Sequence, residues 1–207
     1  MDVAEILAIV KDIVLTIAAV IASYIAIGGL DTWRRQLSGN VEYQLAKNIL
    51  TTLYALRDAI ETVRDPLMSY SAEPDLPEEK LKNLTRPEKE WHGLVQAYQK
   101  RWEAIPVAKT RLNANLWEAE AVWGKAITSK IQPLMTMLNE LFWAVRTHLE
   151  ATNPKHEDRE ESADLLAKRH RILYAGNTDD EFKRKVDEII AAIEKELSPH
   201  ILSRHRS

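Results

Sequence analysis

The sequence predicts an all-α protein with one N-terminal transmembrane helix followed by an elongated, cytoplasmic, antiparallel bundle of about five helices. Three observations lead to this prediction. Residues 13–30 form an uncharged, largely aliphatic run in a chain in which 29% of the residues are charged. The remainder carries apolar residues at steps of three and four, which is the helical period. No segment alternates with the two-residue period of a half-buried strand, and no repeat of 20 to 50 residues is visible.

The composition agrees with a folded domain that follows a membrane anchor in the sequence. The chain has 207 residues, of which 45% are hydrophobic, and its net charge is −3. Without about thirty residues of anchor, the rest is long enough for one domain with a hydrophobic core. The net charge of this remaining domain is nearly neutral, which gives no reason to expect nucleic-acid binding, because nucleic-acid binding uses basic surfaces. Cysteine is absent, which agrees with a reducing compartment.

The apolar run is about long enough to cross a bilayer as one helix. Its nine Ile, Leu and Val residues each favour insertion by roughly 0.3 to 0.6 kcal/mol, whereas a central Lys or Asp would cost about 3 kcal/mol. Two other interpretations stay open: a buried core helix and a cleaved secretory signal. A signal begins with a basic region, but residues 1–12 hold three acidic residues and one lysine. We therefore predict an anchor over residues 1–33 with its span at about 13–30, and a cytoplasmic bundle domain over residues 34–207.

The flanks of the span predict its orientation. Trp33 suits the headgroup layer, and Arg34, Arg35 and Lys47 follow it, whereas the N-terminal side offers Lys11 alone. Lys and Arg favour the cytoplasmic side of a bilayer. We therefore expect a single-pass protein whose N-terminus faces out and whose C-terminal domain is cytoplasmic.

One side of the span consists of small residues. Ala18, Ala22 and Ala26 recur every four residues, with Ser23 beside them. Small residues let two transmembrane helices approach closely, so this pattern predicts a helix-association face. Alanine is also common in spans, and an ordinary lipid-facing surface is the simpler interpretation.

The first bundle helix has two possible beginnings. Asn40 is a suitable N-cap for it, or the helix continues from the anchor with a weak point at Gly28 and Gly29. Pro66 ends it. Its apolar stripe comprises Val41, Leu45, Ile49, Leu53, Leu56, Ile60 and Val63.

A polar connection over residues 68–86 leads to the next helix. Thr85 is a suitable cap for that helix, and Pro87 suits its first turn. Pro106 predicts a kink or a break, and Gly124 predicts a terminus.

Three further segments complete the predicted bundle. A shorter helix lies around residues 165–173 and ends at Gly176. Thr178 and Glu181 predict a capping box for the last helix, which a frayed basic tail over residues 198–207 follows. The helix that precedes these two covers residues 127–149 and has the strongest apolar stripe, which comprises Ile127, Ile131, Leu134, Leu138, Leu141, Val145 and Leu149.

Arg86 and His92 are the candidate catalytic residues. Their spacing resembles the R-x4-6-H motif of HEPN-type ribonucleases, in which a guanidinium binds phosphate and an imidazole transfers protons. The same spacing arises by chance, and Arg86 precedes Pro87 at a helix start, whereas that family places the motif inside a late helix. A solvated first helical turn is the simpler interpretation, and we predict no enzymatic activity.

No metal or cofactor site is predicted. Glu88 and His92 share a helix face, but a carboxylate-bridged metal site needs acids and Glu-x-x-His motifs on several helices. The six tryptophans could form a stacking surface. Core packing is the preferred interpretation, because five of them fall on or beside apolar stripes: Trp91, Trp102, Trp117, Trp123 and Trp143.

Two charged pairs repeat seven residues apart on the first bundle helix. They are Arg57 with Asp58 and Arg64 with Asp65. Such pairs typically form a salt-bridged outer face. They are also a candidate partner surface.

The stretch after the span carries TWRRQL at residues 32–37, EYQLA at 42–46 and YALRDAI at 54–60. It resembles a group of bacterial single-span membrane proteins in which a TWRRQL, EYxLA and YxLRDAI series follows the membrane helix. The resemblance covers about the first third of the chain. It implies a bacterial inner-membrane protein with a cytoplasmic helical domain, and it implies no activity.

The sequence thus predicts a membrane-anchored interaction or scaffold protein whose partners are the bilayer and either a second copy or another protein. One alternative, by analogy of layout, is a homo-oligomeric pore or a stress or phage-defence effector. In that alternative Thr16, Ser23 and the alanine face line or pack the channel, although the low polarity of the span argues against a permanently wet pore. The HEPN-like ribonuclease is the other alternative.

Overall fold

The structure is a computed structural model that describes residues 2–66, 74–155, 162–176 and 179–202. Within these ranges it contains helices and no strand, so the all-α prediction is confirmed. The helices are α1 (Val3–Arg64), α2 (Glu78–Lys82), α3 (Arg86–Trp102), α4 (Ala104–Trp123), α5 (Ala126–Ala151), α6 (Ala163–Leu173) and α7 (Glu181–Leu202).

Helix α1 continues through Gly28, Gly29 and Asn40 without interruption. The predicted N-cap at Asn40 is therefore wrong, and the continuous alternative describes the chain. A cap is not needed there because each N–H finds a carbonyl one turn earlier in the same helix. The helix ends at Arg64, just before Pro66, as the missing N–H and fixed φ of proline lead one to expect.

The structure also tests the other predicted helix ends. The break predicted at Pro106 occurs three residues earlier, at Glu103, which separates α3 from α4, so that Pro106 lies in the first turn of α4, where no N–H is needed. Gly124 ends α4 with a φ of 77°, which confirms its predicted role. Helix α2 lies within the predicted polar connection, and α7 runs to Leu202 where a frayed tail was expected. Thr178 lies outside the described residues.

Contacts divide the chain into two units, Met1–Gln44 with His200–Ser207, and Leu45–Pro199. In the first unit, the Thr32 hydroxyl donates to the Gly28 carbonyl at 2.9 Å. Glu42 Oε2 and His200 Nδ1 lie 2.9 Å apart.

The core of the second unit is built from the predicted apolar stripes. Every member of the α1 stripe from Leu45 to Val63 is buried, whereas Val41 in the first unit is 43% exposed. Helices α3, α4 and α6 contribute buried residues to this core as well. Those of α5 and α7 include Ile127, Ile131, Leu134, Leu138, Leu141 and Val145, and Phe182, Val186, Ile190, Ile193 and Leu197.

Two contacts within the second unit show that α1 and α7 pack antiparallel. The Tyr54 hydroxyl donates to Glu194 Oε1 at 2.7 Å, and further along α1 Glu61 pairs with Lys183. The hydrogen bond to Glu194, with burial and the carboxylate charge, raises the pKa of Tyr54. The same hydrogen-bonded groups therefore fix the register of the two helices.

Candidate functional site

Residues 14–30 of α1 form a helix that is apolar on all sides and exposed on all sides. The exposure of its large apolar side chains ranges from 50% at Leu30 to 81% at Tyr24. Its most apolar 18-residue window has a mean hydropathy of 1.9, and none of that window is buried. Among the described helices, α1 alone is long and apolar enough to cross a membrane. The chain itself does not bury this segment, so the core-helix interpretation does not hold.

The predicted helix-association face is open in the single chain. Ala18, Ala22, Ser23 and Ala26 are all exposed. The Ser23 hydroxyl donates to the Ala19 carbonyl at 2.8 Å, so its proton is used inside the helix and the face presents small, nearly apolar groups. Association through this face stays a prediction.

The charged pairs of α1 lie in two different environments. Arg57 and Asp58 form an exposed ion pair at 3.1 Å. Arg64 is only 1% exposed, so its assignment to a partner surface is wrong. The carbonyl of Asp65 accepts a hydrogen bond from Arg101 Nη1 at 2.6 Å. Spacing along one helix predicts a shared face, but it does not predict which distant segments cover part of that face.

Arg64 caps the C-terminal end of α6. Its Nε donates to the Ile172 carbonyl at 2.6 Å, and its Nη2 donates to the Arg171 carbonyl at 3.2 Å. The last four carbonyls of a helix have no partner within that helix. The guanidinium satisfies two of them and brings a positive charge to the negative end of the helix dipole.

Arg64 also connects to the start of α7. Its Nη2 donates to Asp180 Oδ1 at 2.8 Å, and the guanidinium lies 4.6 Å from the centre of the Phe182 ring. Asp180 Oδ1 in turn accepts the Lys183 N–H at 2.9 Å, as an N-cap does. Burial raises the pKa of the Asp180 carboxyl, but these hydrogen bonds and the nearby positive charges lower it more, so its pKa lies below the ordinary value.

The structure does not bring the candidate catalytic residues together. Arg86 Nε donates to Glu90 Oε1 at 2.9 Å, and the Arg86 side chain is 90% exposed. The His92 ring packs edge-on against Trp91, with their centres 5.0 Å apart. Residues six apart are rotated by about 240° around a helix, so the two side chains leave α3 in different directions. The ribonuclease hypothesis gains no support from this geometry.

Glu88 completes the predicted cap of α3. The Thr85 N–H and hydroxyl donate to Glu88 Oε2 at 2.7 and 2.8 Å, and Lys155 Nζ lies 2.9 Å from Glu88 Oε1. The Thr85 N–H, then Lys155 and the Thr85 hydroxyl, lower the pKa of Glu88 to about 2. This carboxylate is thus engaged as a cap. No group of three His, Cys, Asp or Glu residues could hold a metal ion in the part of the chain that is described.

The interpretation of the tryptophans as core residues is wrong for two of them. Trp117 is 73% exposed and Trp143 is 53% exposed. Trp91 and Trp102 are half-buried, and both line a groove between α3 and α5.

This α3–α5 groove has a volume of about 730 Å³. Buried Tyr98 and Val145 lie at its base. Phe142, which is 41% exposed, forms part of its wall. Trp91 and Trp102 complete an aromatic lining.

Two contacts cross the groove near its ends. Trp91 Nε1 donates to the Leu149 carbonyl at 2.9 Å, and the Trp102 and Phe142 rings lie 5.6 Å apart. These contacts also show that α3 and α5 are antiparallel. The two tryptophans are eleven residues apart, which corresponds to about 16 Å along a helix.

The charged residues at the groove are acidic in balance. Glu103 and Glu150 contribute two carboxylates, and Arg146 contributes one guanidinium. Arg146 Nε lies 2.9 Å from Glu150 Oε1, and its guanidinium lies 5.2 Å from the Trp143 ring. Among the lining residues that the structure describes, the one positive charge is thus already paired with one of the two negative charges.

No protein family, curated protein or solved structure matches the chain. Its function is therefore inferred from its own surfaces. No pattern in the sequence predicted the groove. The available signal was the aromatic content of the α3 stripe, in which Trp91, Tyr98 and Trp102 share one side, but this pattern is equally typical of a covered core face.

Proposed function

We propose that this chain is a single-pass, self-associating interaction or scaffold protein of the bacterial inner membrane, without catalytic activity. The observation that carries the proposal is the uncharged segment 14–30, whose residues are all exposed. In water such a surface is unfavourable on every side, whereas in a bilayer the helix satisfies its own backbone and presents apolar side chains to lipid. The segment thereby both directs the protein to the membrane and anchors it there.

The flanking residues support an N-terminus outside and a cytoplasmic bundle. Trp33 is 58% exposed, and its amphipathic ring suits the headgroup layer. Arg34 and Arg35 are exposed directly after it, where they favour the cytoplasmic side. The TWRRQL, EYQLA and YALRDAI series supports the assignment to a bacterial inner membrane.

Site-directed labelling tests the orientation, because the chain has no native cysteine. We expect Asp2→Cys in spheroplasts to react with a membrane-impermeant maleimide. Ser38→Cys should react only after the cells are broken. Trp117→Cys is a second cytoplasmic position and should behave like Ser38→Cys. Labelling of Ser38→Cys in intact spheroplasts, with Asp2→Cys protected, would show the opposite orientation.

Self-association is supported by the small residues on one side of the span, which allow close helix approach. We expect the full chain in a mild detergent to have the mass of two or more copies, measured by light scattering with the detergent contribution subtracted. Ala22→Leu should shift this mass toward one copy, because the larger side chain separates the helices. Val20→Leu adds bulk on nearly the opposite side, since two residues are rotated by about 200°, and should leave the mass unchanged. A single-copy mass for the unaltered chain would contradict the proposed self-association.

A further inference from the structure

We propose that the α3–α5 groove binds a small organic cation with an aromatic body. This site is separate from the membrane anchor and goes beyond the proposed function. It is defined by aromatic walls, by two carboxylates at the rim, and by contacts that cross the groove near both ends.

The dimensions of the groove favour a small ligand over a docked helix. A helix with its side chains is about 10 to 12 Å wide, and it needs a trough that is open along its length. Here the Trp91–Leu149 hydrogen bond and the Trp102–Phe142 contact bridge α3 and α5 near the two ends. The volume of about 730 Å³ lies within the range of roughly 300 to 1,000 Å³ that is typical of small-molecule sites.

The walls are suited to a flat or cationic group. Aromatic faces carry negative electrostatic potential and attract cations within about 6 Å of the ring centre. The Trp91 indole is held in place by its bond to the Leu149 carbonyl, so its N–H is already used and the ring acts as a fixed wall. Such preorganisation lowers the entropy that a ligand loses on binding.

The charged residues at the rim favour a cationic ligand over an anionic one. Arg146 is paired with Glu150, and Glu103 at the other end of the groove adds a second carboxylate. The net charge of these three side chains is −1, so an anion such as a fatty acid would be repelled. A cation gains from the carboxylates and from the rings at the same time.

Ethidium, a flat aromatic monocation, is a suitable probe. The full chain in nuclease-treated phosphatidylcholine nanodiscs should bind it saturably, with one site per chain above the signal of empty nanodiscs. The anion 8-anilinonaphthalene-1-sulfonate has a similar size and should bind at least tenfold more weakly. Fluorescence titration gives both dissociation constants.

Matched variants assign the binding to the groove. Because the two carboxylates lie at opposite ends of the groove, a monocation lies close to one of them. One of the two variants Glu103→Gln and Glu150→Gln should therefore raise the ethidium dissociation constant about fivefold, as expected for one unit charge about 4 Å away in water. Glu140→Gln removes an exposed α5 carboxylate outside the lining and should have no effect. Phe142→Ala should weaken binding about tenfold, whereas Trp117→Ala, which removes an exposed ring elsewhere, should not.

Three results would overturn the inference. The first is that neither dye binds, as when a lipid chain fills the groove. The second is that the anion binds as tightly as ethidium. The third is that ethidium binding is unchanged by both glutamine variants. Because Glu103 and Glu150 are both exposed, the two glutamine variants keep the test valid even if circular dichroism shows that Phe142→Ala does not fold.

Discussion

Replacing Arg64 with methionine is expected to lower the free energy of unfolding by about 3 to 5 kcal/mol, as for other buried ion pairs that lose one partner. The substitution keeps an apolar stem in a site that is 1% exposed. It removes the charge opposite Asp180, whose side chain is 10% exposed. It also removes the donors to the last carbonyls of α6. The penalty is therefore the cost of leaving buried polar groups without partners.

Urea unfolding of the full chain in detergent, followed by circular dichroism, measures this loss. Arg57→Met is the matched control, because Arg57 also pairs with an aspartate but both side chains are substantially exposed. Exposed pairs contribute about 0 to 1 kcal/mol. Equal destabilisation by the two substitutions would show that Arg64 does not connect the helix ends as described.

The same ion pair predicts a pH dependence. The pKa of Asp180 is lowered in the folded chain, so its contribution to stability is fully present above the unfolded pKa of about 3.9. This contribution is lost as the pH falls through the lower folded value. The difference in stability between the unaltered chain and Asp180→Asn should therefore be constant near neutral pH and shrink below about pH 4. A difference that grows on acidification would contradict this reasoning.

The second large effect is expected from a charge in the middle of the span. Ile21→Arg removes one apolar residue and adds a charge that costs about 2.5 to 3.5 kcal/mol at the centre of a transmembrane helix. The nine Ile, Leu and Val residues of the span together favour insertion by roughly 3 to 5 kcal/mol. One arginine therefore offsets most of the driving force. We expect most of the variant protein to leave the membrane pellet on alkaline carbonate extraction, whereas the unaltered chain stays in it.

Trp117→Arg is the control for this substitution, because it places the same charge on an exposed position of α4. It should remain in the pellet with the unaltered chain. If the unaltered chain itself were extracted by carbonate, the anchor and the orientation derived from it would both fail. Ile21→Leu should behave like the unaltered chain, which separates the effect of charge from that of altered packing.

The helix stripes and several helix ends could be predicted from the sequence because they depend on near neighbours. The stripe of α5 is buried from Ile127 to Val145 as its three- and four-residue spacing predicts, with Leu149 half-buried at its end. Thr85 and Gly124 confirm their roles at helix ends. Asn40 shows the limit of such signals. A good N-cap residue begins a helix only where the residues before it are not helical, and here the preceding residues belong to the same helix.

The sequence by itself determined the helical class and the presence of one segment that is long and apolar enough for a bilayer. Both are properties of residues within a few turns of each other. Only the tertiary structure decided that Arg64 is buried while Arg57 is exposed, and that Trp91 and Trp102 line a groove where a covered core was expected. These outcomes depend on which of α5, α6 and α7 lie against the given helix face. Such contacts join residues as far as 116 positions apart, and no local spacing encodes them.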